Sequence, residues 1–181
     1  MFRFAVSLLF ACVALAQDNA SSIRKVLESE LNMVEHELVP LAEAVPAEKF
    51  AFAPTHGSFD KARTFGQQVT HIAAVIYACS AAVLGEKNPI DMGAGENGPA
   101  TLQTRDDMVK FLKDSLVYAH KALATVTDAN ATGLVTSAFD AKRKVPRLSM
   151  ADVIVWHTMD HYGQMAVYAR MNGVVPPASR Q

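Results

Sequence analysis

The sequence predicts an all-α protein built as a four-helix bundle. Four stretches carry apolar residues at alternating three- and four-residue spacings, three of them open on capping-box patterns, and Pro or Gly closes the first, second and last. That spacing places a stripe of side chains on one face of a helix, which has to be buried against neighbours.

The first helix spans Ser22 to about Val45. Leu27, Leu31, Val34, Leu38 and Leu41 form its seam, Arg24, Lys25, Glu28, Glu35 and Glu37 take the other faces, and Pro46 follows where a helix should stop. Lys49 to Asp60, with Pro54 and Gly57, is an irregular connection. The second helix opens at Thr64-Phe65-Gly66-Gln67, in which Gln67 reaches back to the cap. Gln68, Ile72, Val75 and Cys79 make its stripe, broadened by Phe65, Val69, Ile76 and Val83, and it fades at Gly85. Asn88 to Ala100 carries three Gly and two Pro and reads as a loop long enough to cross over a bundle.

Thr104-Arg105-Asp106-Asp107 caps the third helix, whose seam is Met108, Leu112, Ser115, Ala119, Ala122 and Val126, and Asp128 to Gly133 ends it. Val135 to Leu148 has no helical period, and Phe139 to Val145 is expected to pair as a short hairpin. Ser149-Met150-Ala151-Asp152 opens the fourth helix, which runs to about Asn172 before Gly173 and Pro176-Pro177. Asp152, Asp160, His161 and Arg170 exclude a membrane span there.

The first sixteen residues read as a leader. Met1-Phe2-Arg3 is basic, Phe4 to Leu15 is apolar but shorter than a bilayer requires, and Ala14-Leu15-Ala16 supplies a small-x-small cleavage pattern. The expected product is an exported, periplasmic or secreted single domain of residues 17–181. Leu9-Phe10-Ala11 before Cys12 offers a lipoprotein reading that is weaker, because Phe10 is bulky near the cut. Removing Arg3 from the 17 Lys and Arg leaves 16 against 18 Asp and Glu, without the basic footprint of a nucleic-acid binder. With Cys12 gone, Cys79 has no partner for an internal disulfide. Its apolar neighbours should raise its pKa, which argues against a nucleophilic role.

Chemistry enters on the fourth helix. Its inward stripe should run Ile154, His157, His161, Gln164 or Met165, and Tyr168, so two imidazoles occupy positions suited to Leu. Burying them without partners costs roughly 1–3 kcal/mol each. Two neutral imidazoles at this spacing can share a divalent metal, and His71 on the second helix is a third candidate ligand, since bundle cores draw ligands from facing helices. The spacing is part of the H-E-x-x-H zinc-protease motif, but Thr158 stands where its general base would be. His36, His56 and His120 read as solvated. Asp160 and Gln164 could accept a spare imidazole N–H or bind a water, while Asp160 reads equally well as a solvent-facing charge.

Three segments resemble the DinB-like proteins, the damage-inducible, YfiT-type metal-binding bundles. They are Arg63-Thr64-Phe65-Gly66-Gln67-Gln68-Val69-Thr70-His71-Ile72-Ala73, then His157-Thr158-Met159-Asp160-His161-Tyr162-Gly163-Gln164, and Tyr168-Ala169-Arg170-Met171-Asn172-Gly173-Val174-Val175-Pro176-Pro177. The resemblance covers about Ser22 to Ser179. It implies up-down-down-up connectivity with a long crossover after the second helix, and a divalent metal, zinc or nickel being usual, on His71, His157 and His161. It also implies a homodimer. Characterised relatives include thiol-dependent enzymes, such as mycothiol-dependent maleylpyruvate isomerase and bacillithiol transferases.

The functional expectation is a metal-dependent transferase or hydrolase acting on a small molecule through a metal-activated thiol or water. Asp160, Gln164, Tyr162 and Arg170 are the candidates to orient substrate. The competing reading is a non-catalytic metal-binding or stress-related module whose metal closes the core, and a third is a plain bundle without metal.

Overall fold

The computed structural model describes residues 22–180; the leader at residues 1–16 and Cys12 lie outside them. Four helices form the body: α1 (Ser22–Ala44), α2 (Phe65–Leu84), α3 (Arg105–Leu123) and α4 (Arg147–Met171). Two three-residue strands, β1 (Leu134–Thr136) and β2 (Lys144–Pro146), pair antiparallel with Val135 opposite Val145.

The contacts between helices fix the topology. Gln68 meets Gln164 while Arg147 reaches the Val83 carbonyl, so α2 and α4 are antiparallel. Met108 lies against Gly66 and Tyr118 bonds Glu86, so α2 and α3 are parallel. Glu35 pairs with His120 and the Val45 carbonyl with Arg105, which makes α1 and α3 antiparallel. The order is up-down-down-up, and because α2 and α3 point the same way, residues 85–104 must return the full length of the bundle. That return brings the tip of the crossover back beside the first turns of α2.

The second helix is the core rod. Phe65, Ile72, Ile76, Cys79 and Val83 are at most 1% exposed, and burial extends to both flanks because α2 packs on α3 and α4 together. It is long and apolar enough to cross a membrane, but most of it is buried inside the bundle. Its Thr64 cap forms the expected capping box, with Gln67 N–H donating to Thr64 Oγ1 and Thr64 N–H to Gln67 Oε1. The next two N–H groups, of Phe65 and Gly66, donate to the Phe52 and Phe50 carbonyls at 2.8 Å. Gly85 closes the helix at φ 73°.

Several boundaries depart from the sequence reading. The helix α1 continues through Pro40, which supplies no N–H to the His36 carbonyl, and its first N–H groups are capped by the distant Asp128 carboxylate at 3.2 Å. The helix α3 ends at Leu123, with Val109 rather than Met108 in its seam. The Ser149 capping box is not used. Instead α4 begins at Arg147, because Arg147 and Leu148 N–H donate to the Gly133 and Ala131 carbonyls. Strand pairing joins residues 134–136 to 144–146, so the hairpin starts five residues before the expected Phe139–Val145 segment and ends one after it. His120 is not simply solvated, since its Nε2 stands 2.9 Å from Glu35 Oε2.

Candidate metal centre

The antiparallel packing of α2 on α4 places His71, on the second turn of α2, opposite His157 and His161. His71 and His161 are 3% and 7% exposed, and His157 is half-buried at the rim. His157 Nε2 stands 3.2 Å from His71 Nε2 and 3.2 Å from His161 Nε2. One ligand atom from each ring lies within 4.8 Å of the other two. Three Nε2 atoms therefore converge on one point.

Each outer nitrogen has a different environment. His71 Nδ1 lies 2.9 Å from the Glu96 carbonyl, which can only accept, so Nδ1 carries the proton and Nε2 presents its lone pair inward. His161 Nδ1 lies 2.5 Å from Gln68 Oε1. His157 Nδ1 is buried and has no hydrogen-bond partner among the described residues. The Gln68 amide continues to Gln164 Oε1 at 3.1 Å, and Gln164 Nε2 to Asp160 Oδ2 at 3.2 Å.

The crossover supplies the Glu96 carbonyl through a tightly shaped loop. Arg63, immediately before the α2 cap, donates from Nε to Asn97 Oδ1 and from Nη2 to the Gly95 carbonyl, both at 2.8 Å. Glu96 itself has φ 59°, a left-handed conformation uncommon outside Gly. At Gly93, φ 66°, a Cβ would sit 2.0 Å from the Gly98 carbonyl oxygen, so only glycine fits.

Electrostatics keep the three rings neutral. Burial, and then each other's proximity, lower the His157 pKa to about 4. Burial, followed by His71 and Arg63, brings His161 to about 4. His71 is lowered by burial, against which the Glu96 carbonyl works in the opposite direction. Neutral imidazole is the metal-binding form.

The geometry fits a divalent cation. A tetrahedral zinc site with Zn–N of 2.0–2.1 Å separates its nitrogens by roughly 3.3 Å, close to the 3.2 Å of the two pairs that include His157, and the third pair lies within 4.8 Å. Without a cation the cluster is frustrated. One proton on His157 Nε2 can serve His71 or His161 in a direct hydrogen bond, leaving the other lone pair facing nitrogen. Three ligands of this kind leave a coordination position free.

Of the residues expected to orient substrate, Asp160 and Gln164 lie beside the cluster. Tyr162 points instead to Glu37 of α1, and Arg170 to Ser179 Oγ at 3.0 Å. Neither Asp160 nor Gln164 accepts an imidazole N–H directly; Gln68 does. Gln68 was legible by the same signal as the histidines, a polar residue on an apolar stripe, and at 2% exposure it is as buried as they are. Nothing in the sequence marks the Glu96 main-chain carbonyl. Cys79 is fully buried, and burial pushes its thiol up to about 12, consistent with an inert core residue.

An up-down-down-up bundle with three imidazoles converging between its second and fourth helices defines a class, the histidine-site helical bundle. The chain belongs to the DinB superfamily, whose family profile matches residues 30–165. In fold it is similar to a DinB-like protein from Bacillus cereus, with a TM-score of 0.66 and 16% identity over 84% of this chain and 95% of that one. No curated protein matches the sequence.

Proposed function

We propose that the protein is an exported metal-dependent transferase or hydrolase of the DinB superfamily, holding zinc or nickel on His71, His157 and His161. The observation that carries this reading is the convergence of three Nε2 atoms, two at 3.2 Å from the third, from rings that burial keeps neutral.

A metal bound there would supply Lewis acidity, lowering the pKa of a coordinating water or thiol so that it attacks at neutral pH. The chain's own residues do the rest. The neutral imidazoles leave the ion's charge uncompensated, Glu96 and Gln68 hold two rings in register, and the half-buried His157 opens the cluster to solvent on the α4 side. The exposed Asp160 carboxylate stands at that opening and can orient a polar group of the substrate. Three protein ligands leave a coordination position for water or substrate, and this supports chemistry over a structural module.

Elemental analysis of untagged chain 17–181 tests the metal. We expect stoichiometric zinc or nickel, lost in His71→Ala, His157→Ala and His161→Ala alike; retention in His71→Ala would remove α2 from the site. Metal-loaded protein should then accelerate ester hydrolysis or thiol addition to an electrophile over the chelated protein, and equal rates would leave the module reading standing. Export is checked by N-terminal sequencing of the secreted product, expected to begin at Gln17.

A further inference from the structure

A polar chain runs from the buried cluster to the surface. Asp160 Oδ2 lies 3.2 Å from Gln164 Nε2, Gln164 Oε1 lies 3.1 Å from Gln68 Nε2, and Gln68 Oε1 lies 2.5 Å from His161 Nδ1. Gln68, at 2% exposure, sits between α2 and α4.

The direction of every bond follows from the carboxylate. An ionised carboxylate only accepts, so the Gln164 end facing Asp160 is its NH2 and its carbonyl faces Gln68. That carbonyl only accepts as well, which turns the Gln68 NH2 toward it and the Gln68 carbonyl toward His161. The imidazole nitrogen facing that carbonyl must then carry the proton. We infer that Asp160 is a positioning residue: acting through Gln164 and Gln68, it fixes the His161 proton on Nδ1 and so presents Nε2 as the lone pair aimed at His157 and His71.

The device solves a problem that His71 does not have. A main-chain carbonyl cannot reverse, so Glu96 locks the His71 tautomer unaided. A glutamine amide can flip, and its two orientations are nearly isosteric. Anchoring two amides in series on a surface carboxylate removes the flipped state, in which an NH2 would face Nδ1 and drive the proton to Nε2. The importance of this polarity for metal capture rests on the proposed metal site; the tautomer itself does not.

The test reads the metal-free, 15N-labelled chain, in which imidazole nitrogen shifts report the tautomer of each histidine. Wild-type His161 is expected wholly as the Nδ1–H form. Asp160→Asn, which can present either end of its amide, and Gln68→Leu, which removes the acceptor, should each yield mixed tautomers at His161. Asp160→Glu and Gln68→Glu, which keep an acceptor in the chain, should retain the wild-type form. His71 is the internal control, since a general loosening of the bundle would disturb both rings and loss of the relay only His161. Zinc affinity, measured by competition with a chromophoric chelator, should fall about tenfold in Gln68→Leu. If Gln68→Leu fails to fold, Asp160→Asn, altered at an exposed residue, decides alone. An unchanged His161 tautomer in Asp160→Asn overturns the inference, as does an Nε2–H form in the wild type. A wild-type Nδ1–H form in a chain that takes up neither zinc nor nickel would sink the metal proposal and leave the relay intact.

Discussion

His71 Nε2 and His157 Nε2 face one another at 3.2 Å across the α2–α4 interface, although 86 residues separate them along the chain. Each is a hydrogen-bond acceptor whenever its proton sits on Nδ1, so their approach is stable only with a proton or a cation between them. The consequences can be measured with and without metal.

Acid should destabilise the metal-free protein in a defined window. Unfolded imidazoles titrate near 6.5, whereas folded His157 and His161 are held at about 4 and His71 is also lowered. Between these values the unfolded chain binds more protons, so stability falls as pH drops from 6.5 toward 4 and is unaffected by these rings above 6.5. The slope is at most about 1.4 kcal/mol per pH unit for each ring. Urea unfolding of chelated protein at pH 7, 5.5 and 4.5 should show it, and the His157→Asn/His161→Asn double variant should lose that part of the dependence.

Chelation should lower stability without melting the bundle. The apolar core around Leu31, Ile72, Leu112 and Ile154 is fully buried independently of the histidines, so far-UV circular dichroism should be preserved. A metal present at a thousand times its Kd contributes about 4 kcal/mol, which for a domain of this size corresponds to roughly 8–16 °C in Tm. Collapse of the helical signal on chelation would instead mark the metal as structural.

The crossover loop should govern affinity from outside the ligand set. Gly93→Ala places a Cβ against the Gly98 carbonyl and forces the loop to move, taking the Glu96 carbonyl from His71. Zinc affinity should fall about ten- to a hundredfold. Arg63→Met, which removes the bonds to Asn97 and Gly95, should weaken it about tenfold, both read by chelator competition.

Trp156 is a built-in reporter. It is the single tryptophan of the chain, it is 54% exposed, and its ring centroid lies 5.9 Å from that of His157. Titration with nickel or copper should quench its emission to a plateau at one equivalent, and His71→Ala should abolish the high-affinity phase although His71 lies on another helix.

How far each feature could be read from the chain depended on how local its cause is. The Thr64 and Thr104 capping boxes and the Gly85 and Gly173 terminators depend on residues within one turn, and all four are found where the sequence places them. The start of α4 departs from its local pattern because its first N–H groups are satisfied by Gly133 and Ala131 carbonyls, and the cap of α1 carries no local signal because it is Asp128, beyond α3. The histidines were legible as polar residues on apolar stripes. Gln68 gives the same signal, but its partner His161 lies 93 residues away on another helix, which no local pattern records.

By itself the sequence determined four amphipathic rods, most of their ends, and two imidazoles one turn apart on an inward face, since periodicity and capping act over a few residues. Tertiary structure alone decided that His71 meets that pair, that a returning loop brings a main-chain carbonyl to its outer nitrogen, and that Gln68 joins His161 to Asp160. These outcomes depend on which rods are antiparallel neighbours and at what register. Many side chains settle that jointly, and no local pattern records it.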